Sequence, residues 1–352
     1  MTNIKDIARY CKVNPATVSR ALNGRKGVSE QVRARIVRAA QRLSYSKNTL
    51  AAGLITKKSG IIGFVVPDIT NPFYASVAKG VNTIMEQEGY SIFLCDSNRS
   101  PPLERRYFEM LCNYHVEGVI LISVTAREKD LKVFSRNSIR VVCVDNYISS
   151  RYSAVLNDNY FGSCQLIEHL VQNCGVKKLV CVMGRAEADT TKQRLRGCVD
   201  TLERLHCKEI LAGVLNIDAT YKNGYDIMGE VLKLKPDCVF AINDTVAMGI
   251  ITYCQHQGIR IPEDLKVAGF DDIAQASMIS VPLTTVHQQK YVLGQKAAAQ
   301  LLLELKEPVT QPVRIELQPR LIVRESCGEK LTRAARQSVQ TQSEPVEPSE
   351  PG

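Results

Sequence analysis

The stretch IKDIARYCKVNPATVSRALNGRKGVSEQVRARI, Ile4 to Ile36, decides what kind of fold the chain begins with. It contains three short helical patterns. The first carries Ile4, Ile7, Ala8 and Cys11 on one face, with Thr2 as the expected N-cap. Asn14-Pro15 opens the second, an acceptor side chain followed by a proline at the first helical position, where a missing N–H costs nothing. Val18, Ala21 and Leu22 point inward, and Asn23-Gly24 closes the helix with residues that tolerate positive φ. Ser29 caps the third, whose stripe is Val32, Ile36, Ala39, Ala40 and Leu43. About three residues separate the first two helices, the spacing of a helix-turn-helix.

The second helix leaves Pro15, Ala16, Thr17, Ser19 and Arg20 facing outward. Small residues at its start allow close approach to a groove. Thr17 and Ser19 can donate to phosphates, and Arg20 can make a forked contact to guanine N7 and O6. Each residue alone is ordinary on a helix surface; together, on a basic unit of three helices, they point to DNA.

Charge supports this. The 352 residues carry +9, but residues 1–58 hold 13 Lys/Arg against only Asp6 and Glu30. The remaining chain has 32 basic and 34 acidic side chains. A near-neutral body with a compact basic head is the footprint of a polyanion-binding module. With 45% hydrophobic and 23% charged residues the composition is globular, and the length suits two or three domains. No apolar run reaches the roughly 18 residues of a membrane span, and MTNIKDIARYCKVN lacks the apolar core of a secretory signal, so a cytoplasmic protein is expected. Twelve cysteines without a CxxC pair read as reduced, buried small hydrophobes, and neither they nor the five scattered histidines make a metal motif. His169 and His287 read as structural.

From Ser59 to about Arg324 the pattern alternates. Apolar runs at Ile61–Val66, Ser91–Cys95, Gly118–Ile122, Val141–Val144, Leu179–Met183, Val239–Ile242 and Lys266–Gly269 are separated by helical stretches. Buried strands alternating with helices predict a doubly wound α/β core with parallel sheets, whose ligands bind beyond the carboxyl ends of the strands. The loops there hold a coherent polar set: Phe73-Tyr74 after the first run, Asp145-Asn146 after the fourth, then Arg194, Asn243-Asp244, Asp271-Asp272 and Gln288. Carboxylates, amides, one arginine and an aromatic face suit a neutral, hydroxyl-rich ligand. Asp244 is expected to cap the helix that follows it and Asn243 to face the ligand. Asp158-Asn159 reads as a crossover and cap, and Arg194 could instead form an ion pair between lobes.

The head, with ATVSRALNG at Ala16–Gly24 as its most specific string, resembles the lactose-repressor (LacI/GalR) family of bacterial transcription regulators, and the likeness extends to about Arg324. The resemblance implies a two-lobed core like that of periplasmic sugar-binding proteins, with the chain crossing between lobes near Asp158, Gln288 and Gln318. It implies that Pro15, Ala16, Thr17, Ser19, Arg20 and Asn23 contact DNA. In YSKNTLAAGL, Tyr45–Leu54, it implies a hinge helix whose Leu54, with Ala51 on the same face, wedges into the minor groove. Lys47 and Ala52 depart from the family's usual proline and arginine there; a plain linker is the alternative. By resemblance Asp145, Arg194, Asn243 and Asp271 contact the effector, with Phe73, Tyr74, Asn146 and Gln288 as cleft walls. An aromatic frequent in the family after the fifth strand of the second lobe is Ala219 here, with Tyr221 nearby, which weakens stacking on that side.

The expected organisation is a DNA-binding head at 1–45, a hinge helix or linker at 46–58, an effector-binding and dimerisation core at 59–326, and a disordered tail at 327–352 that ends in Pro-Glu repeats and offers no coiled coil. The expected function is a homodimeric repressor of carbohydrate-utilisation genes that reads a palindromic operator and is controlled by a small sugar, without cofactor or membrane partner. Relief of repression is favoured over corepression, and a purine or phosphocarrier-protein corepressor is the alternative. A sugar-binding protein without regulation conflicts with the basic head. An α/β enzyme finds no GxGxxG, GxxxxGK[ST] or GxSxG and no nucleophile beside a base.

Overall fold

The computed structural model describes residues 3–22, 24, 26–43, 45, 59–307 and 311–328. Asn23, Ala51, Leu54, the rest of the 46–58 segment and the chain beyond 328 lie outside the described residues. Two compact units divide at Ser59 and Gly60.

In the first unit three helices follow one another: α1 (Ile4–Cys11), α2 (Pro15–Leu22) and α3 (Glu30–Arg42). The cap of α1 is Asn3, not Thr2. Asn3 Oδ1 accepts from the amides of Lys5 and Asp6 at 2.8 and 3.2 Å, and Asp6 Oδ2 accepts from the Asn3 amide at 2.9 Å. The reciprocal pair needs an acid three residues beyond the cap, and only Asn3 has one. Asn14 Oδ1 accepts from the Ala16 amide at 2.8 Å, and Ser29 caps α3. Arg33 of α3 donates to the Ala21 carbonyl at 3.0 Å, satisfying an end of α2. Ile7, Ala8, Cys11, Val18, Ala21, Ile36, Ala39 and Ala40 form the core of this unit.

The second unit contains two parallel sheets. The first has the strand order β11-β5-β4-β3-β1-β2, with β1 Ile61–Val66, β2 Ser91–Asp96, β3 Gly118–Leu121, β4 Arg140–Val144, β5 Ser153–Asn157 and β11 Arg314–Leu317. The second runs β7-β6-β8-β9, with β6 Leu179–Met183, β7 Leu211–Asn216, β8 Cys238–Ala241 and β9 Lys266–Ala268. A two-stranded antiparallel ribbon joins β10 (Thr285–His287) to β12 (Arg320–Ile322). All seven apolar runs are strands, with ends differing by one residue at most. Of the five remaining strands, β5 is fully buried but its apolar run is only Ala154–Leu156 between Ser153 and Asn157, β7 is half-buried as far as an exposed Asn216, β11 carries Arg314 and Glu316, and β10 and β12 have three residues each.

Each sheet reverses its winding once, between β1 and β3 and between β6 and β8. After β5 the chain enters the helix Asn159–Gln172, which packs on the helix Asp189–Arg204. After β10 it returns in the helix Lys290–Lys306, which packs on β3, β4, β5 and the helix Pro72–Gln87. The two helices of that last pair touch backbone to backbone: a Cβ on Gly80 would fall 2.1 Å from the Tyr291 carbonyl oxygen, and one on Gly294 2.2 Å from that of Val77. Of the expected tail at 327–352, only residues 327 and 328 are described, and they belong with 325 and 326 to one turn. In that turn Cys327 is fully buried, because Ser326 and Cys327 pack and hydrogen-bond against β9 and Thr284.

Candidate effector cleft and nucleic-acid interface

Strand-end loops of both sheets converge on one cavity of about 40 Å³. The first lobe supplies Phe73 and Tyr74 beyond β1, Arg99 beyond β2, Val124 beyond β3 and Asp145 beyond β4. The second lobe supplies Gly184, Arg185, Thr190, Thr191 and Arg194 beyond β6, Asp218 and Ala219 beyond β7, Asn243 beyond β8 and Asp271 beyond β9. Asn71 fixes the aromatic pair by capping the Pro72–Gln87 helix through the Phe73 amide, at 2.9 Å. The two rings meet edge to face at 5.3 Å.

Arg194 is buried and reaches four groups of its own lobe. Its Nε donates to Asn159 Oδ1 at 2.8 Å, one Nη to the Ile242 carbonyl and the other to Asp271 Oδ1 at 3.5 Å; the guanidinium lies 3.8 Å over the Phe270 ring. Its ion pair is therefore within the second lobe rather than between lobes. Asp271 (φ +113°) also accepts from Gln288 Nε2 at 2.5 Å. Burial pushes its carboxyl up to about 7; Arg194 opposes the shift and Asp145 adds to it. Asp145, at φ +64°, is likewise raised by burial against the pull of Arg194, and its Oδ1 has no hydrogen-bond partner among the described residues. An unpartnered buried acceptor aimed at a cavity is what a hydroxyl donor would satisfy.

Six of the eight expected effector residues line this cavity: Phe73, Tyr74, Asp145, Arg194, Asn243 and Asp271. Gln288 does not; fully buried, it acts on the cavity through Asp271. Asn146 lines the adjoining mouth, a space of about 590 Å³ that shares Val124, Arg185 and Ala188 with the cavity. Its Oδ1 accepts from the Thr190 amide at 3.3 Å, and the Tyr147 amide donates to Asp189 Oδ2 at 3.4 Å. The helix Asp189–Arg204 has no side-chain cap of its own, so the first lobe caps a helix of the second.

At residues 243–244 only the capping role differs from the expected one. Asn243 is the N-cap, accepting from the Val246 amide at 2.9 Å while still lining the cavity. Asp244 is fully buried and holds the loop beyond β9, accepting from Thr285 Oγ1 at 2.5 Å and the Ile273 amide at 2.9 Å. Asp272 faces away to Arg324 Nη2 at 2.7 Å and His287 Nδ1 at 2.8 Å; burial opposes them, yet these partners hold its carboxyl down to about 2. Ala219 lines the cavity but follows the second strand of its lobe in chain order, not a fifth, and Tyr221 is a surface residue bonded to Thr252. Arg99, which pairs with Asp68 at 3.5 Å, and Asp218, which pairs with Arg185 at 2.5 Å, went unread in the sequence. The same strand-end rule finds Arg99, because β2 is legible. It misses Asp218, because β7 is not.

On the first unit, Pro15, Ala16 and Arg20 are exposed and Thr17 and Ser19 half-buried along one side of α2, with Val18 and Ala21 inward.

Residues 3–48 match the family model described as bacterial regulatory proteins, lacI family, and residues 59–324 match that of periplasmic binding proteins and the sugar binding domain of the LacI family. The chain belongs to the LacI family and is a DNA-binding transcriptional regulator of that class. It is 31% identical over 328 residues to the ribose operon repressor of Halalkalibacterium halodurans, covering 93% of this chain and 97% of that one. It is 30% identical over 331 residues to the transcriptional repressor PurR of Actinobacillus pleuropneumoniae serotype 3, covering 93% and 98%. The solved structure of a LacI family regulator from Enterococcus faecalis V583 with bound ribose shares 28% identity at a TM-score of 0.69, covering 77% of this chain and all of that one.

Proposed function

We propose that the protein is a homodimeric repressor whose two heads read a palindromic operator and whose cleft takes a small sugar of the pentose class. The single observation carrying the ligand class is the cavity itself. Two buried carboxylates, from Asp145 and Asp271, face Arg194 and an aromatic pair, a set that can bind vicinal hydroxyls in pairs while a ring lies against apolar carbon. The ribose operon repressor and the ribose-bound neighbour support the pentose reading. Phe73, Tyr74, Asp145, Arg194, Asn243 and Asp271 hold the effector, Gln288 positions Asp271, and Asn146 bridges the lobes. The protein acts in the cytoplasm by binding rather than turnover; no helix among the described residues is long and apolar enough to cross a membrane.

A cavity of about 40 Å³ holds a water or two, not a sugar ring, so a ligand enters as the lobes part. Parting them strains the bonds from Asn146 and Tyr147 to the 189–204 helix. The ligand thus acts through its different affinity for two lobe arrangements, which shifts operator affinity. In this reading residues 1–45 are the head and 46–58 the hinge. Pro15, Ala16, Thr17, Ser19, Arg20 and Asn23 meet the major groove, while Leu54 beside Ala51 forms the wedge.

The test is selection of an operator from random duplexes, followed by release with a panel of sugars and purines. Release by a pentose, lost in Asp145→Ala, is expected. Release by a purine alone transfers the cleft to the chemistry suggested by the PurR relatives. Arg20→Ala should cost about 1–3 kcal/mol on the operator. Equal weakening on random DNA would remove its base-reading role.

A further inference from the structure

His169 and Cys174 stand at the end of the helix Asn159–Gln172 and just past it. The Cys174 amide donates to the His169 carbonyl at 3.2 Å, so the chain folds back and brings Cys174 Sγ to 3.3 Å from His169 Nε2. Cys327 arrives from the far end of the core, and its Sγ lies 3.5 Å from the same nitrogen. The three ligand atoms lie within 4.8 Å of one another. We propose that His169, Cys174 and Cys327 form a binding site for a thiophilic divalent cation, zinc being the natural fit, that fastens the C-terminal turn to the second lobe.

Three observations carry this. Zinc bonds of about 2.0–2.1 Å to nitrogen and about 2.3 Å to sulfur put the nitrogen about 3.6 Å from each sulfur in a tetrahedron. The observed 3.3 and 3.5 Å lie close to that edge, so both nitrogen–sulfur edges of a zinc tetrahedron are nearly in place. Second, the turn bearing Cys327 is held in place. Ser326 Oγ donates to the Val267 carbonyl at 2.6 Å and accepts from the Thr284 amide at 2.9 Å, while Thr284 Oγ1 meets Cys327 Sγ at 3.1 Å. Third, the site sits at a helix C-terminus, whose carbonyl end favours positive charge. Cys327 and His169 are buried and Cys174 is partly exposed, which gives an ion a way in and leaves a fourth position for water.

The pattern is invisible in the sequence because only one pair of the ligands is local, and the five-residue His-Cys spacing matches no familiar motif. Its place gives it consequence. Arg324, three residues before Cys327, donates to the Leu283 carbonyl at 2.8 Å and pairs with Asp272, the neighbour of the cleft's Asp271. An ion at Cys327 therefore steadies the turn that braces the cleft floor.

The test uses the full chain, reduced and treated with a chelator, then titrated with Co²⁺ as a spectroscopic stand-in. One ion per chain, with intense tetrahedral d–d bands and thiolate-to-cobalt charge transfer, displaced by Zn²⁺, is expected. Cys174→Ser and Cys327→Ser should each weaken binding about tenfold or more and diminish the charge-transfer band, while Cys207→Ser should do neither. If the buried Cys327→Ser variant does not fold, alkylation of the folded wild-type chain decides: Zn²⁺ should protect Cys174 and leave the reactivity of the other partly exposed cysteines, Cys164 and Cys207, unchanged. Octahedral cobalt without a thiolate band, bands that persist in both variants, or a Cys174–Cys327 disulfide whose reduction yields no ion uptake would overturn the proposal.

Discussion

Replacing Asp271 by Asn should stabilise the protein relative to wild type as pH rises, although it removes a residue that we assign to the ligand. The carboxyl sits in the cavity floor with Gln288 and Arg194 on Oδ1, and burial lifts it from 3.8 to about 7. A folded-state value above the unfolded one means that the folded chain keeps a proton that the unfolded chain releases. The associated stability is complete below 3.8 and is lost as pH rises through about 7. Between about pH 5.5 and pH 8 the loss is about 2 kcal/mol in wild type. Asn keeps the Oδ1 acceptor and cannot ionise, so the variant lacks this slope. Urea unfolding followed by circular dichroism at several pH values measures it. Asp145 and Asp244 are also raised by burial, and the Asp271 charge adds to the shift of Asp244, so the difference between the two proteins reports position 271 together with its coupling to these carboxyls. Parallel stability profiles across this window would refute the reasoning. In parallel, the variant should lose effector-driven operator release while still binding operator.

Arg324→Met leaves the largely buried Asp272 without its guanidinium partner and should cost about 3–5 kcal/mol in urea. The Asp272 carboxyl is held down to about 2, so its contribution is present above 3.8 and lost as pH falls through about 2; the variant's acid-unfolding midpoint should move up, and an unmoved midpoint would count against the pairing. Gly80→Ala drives a methyl into the Tyr291 carbonyl and should destabilise by about 1–3 kcal/mol or more, as measured by the urea midpoint. Gly229→Ala, whose Cβ meets nothing within 4 Å in the helix Met228–Lys233, should be neutral or gain up to about 1 kcal/mol. Equal effects at the two glycines would dismiss the close helix contact.

The head was legible because its signals are local. Asn14-Pro15 and Ser29 announce helix starts within one turn, and the apolar stripe repeats at helical spacing, so no distant partner is needed. Only the α1 cap slipped, from Thr2 to Asn3, where a reciprocal bond to Asp6 outweighs the hydroxyl's general preference. The central parallel strands were legible for a different reason: buried on both faces, they read as continuous apolar runs. β7, β11 and β12 are partly exposed or very short, and their pairing depends on which strand the chain returns to.

The amino-acid sequence by itself determined a basic three-helix head on a doubly wound α/β core and the polar strand-end residues from Phe73 to Asp271. Charge, caps and apolar runs act over a turn or a strand. Tertiary structure alone decided which of those residues share a cavity, that Asn243 caps while Asp244 ties a loop, that Asn146 of one lobe completes a helix of the other, and that Cys327 meets His169. Those outcomes depend on backbone geometry and burial between segments far apart in the chain, and a buried carboxylate or thiol takes its chemistry from the neighbours that folding brings to it.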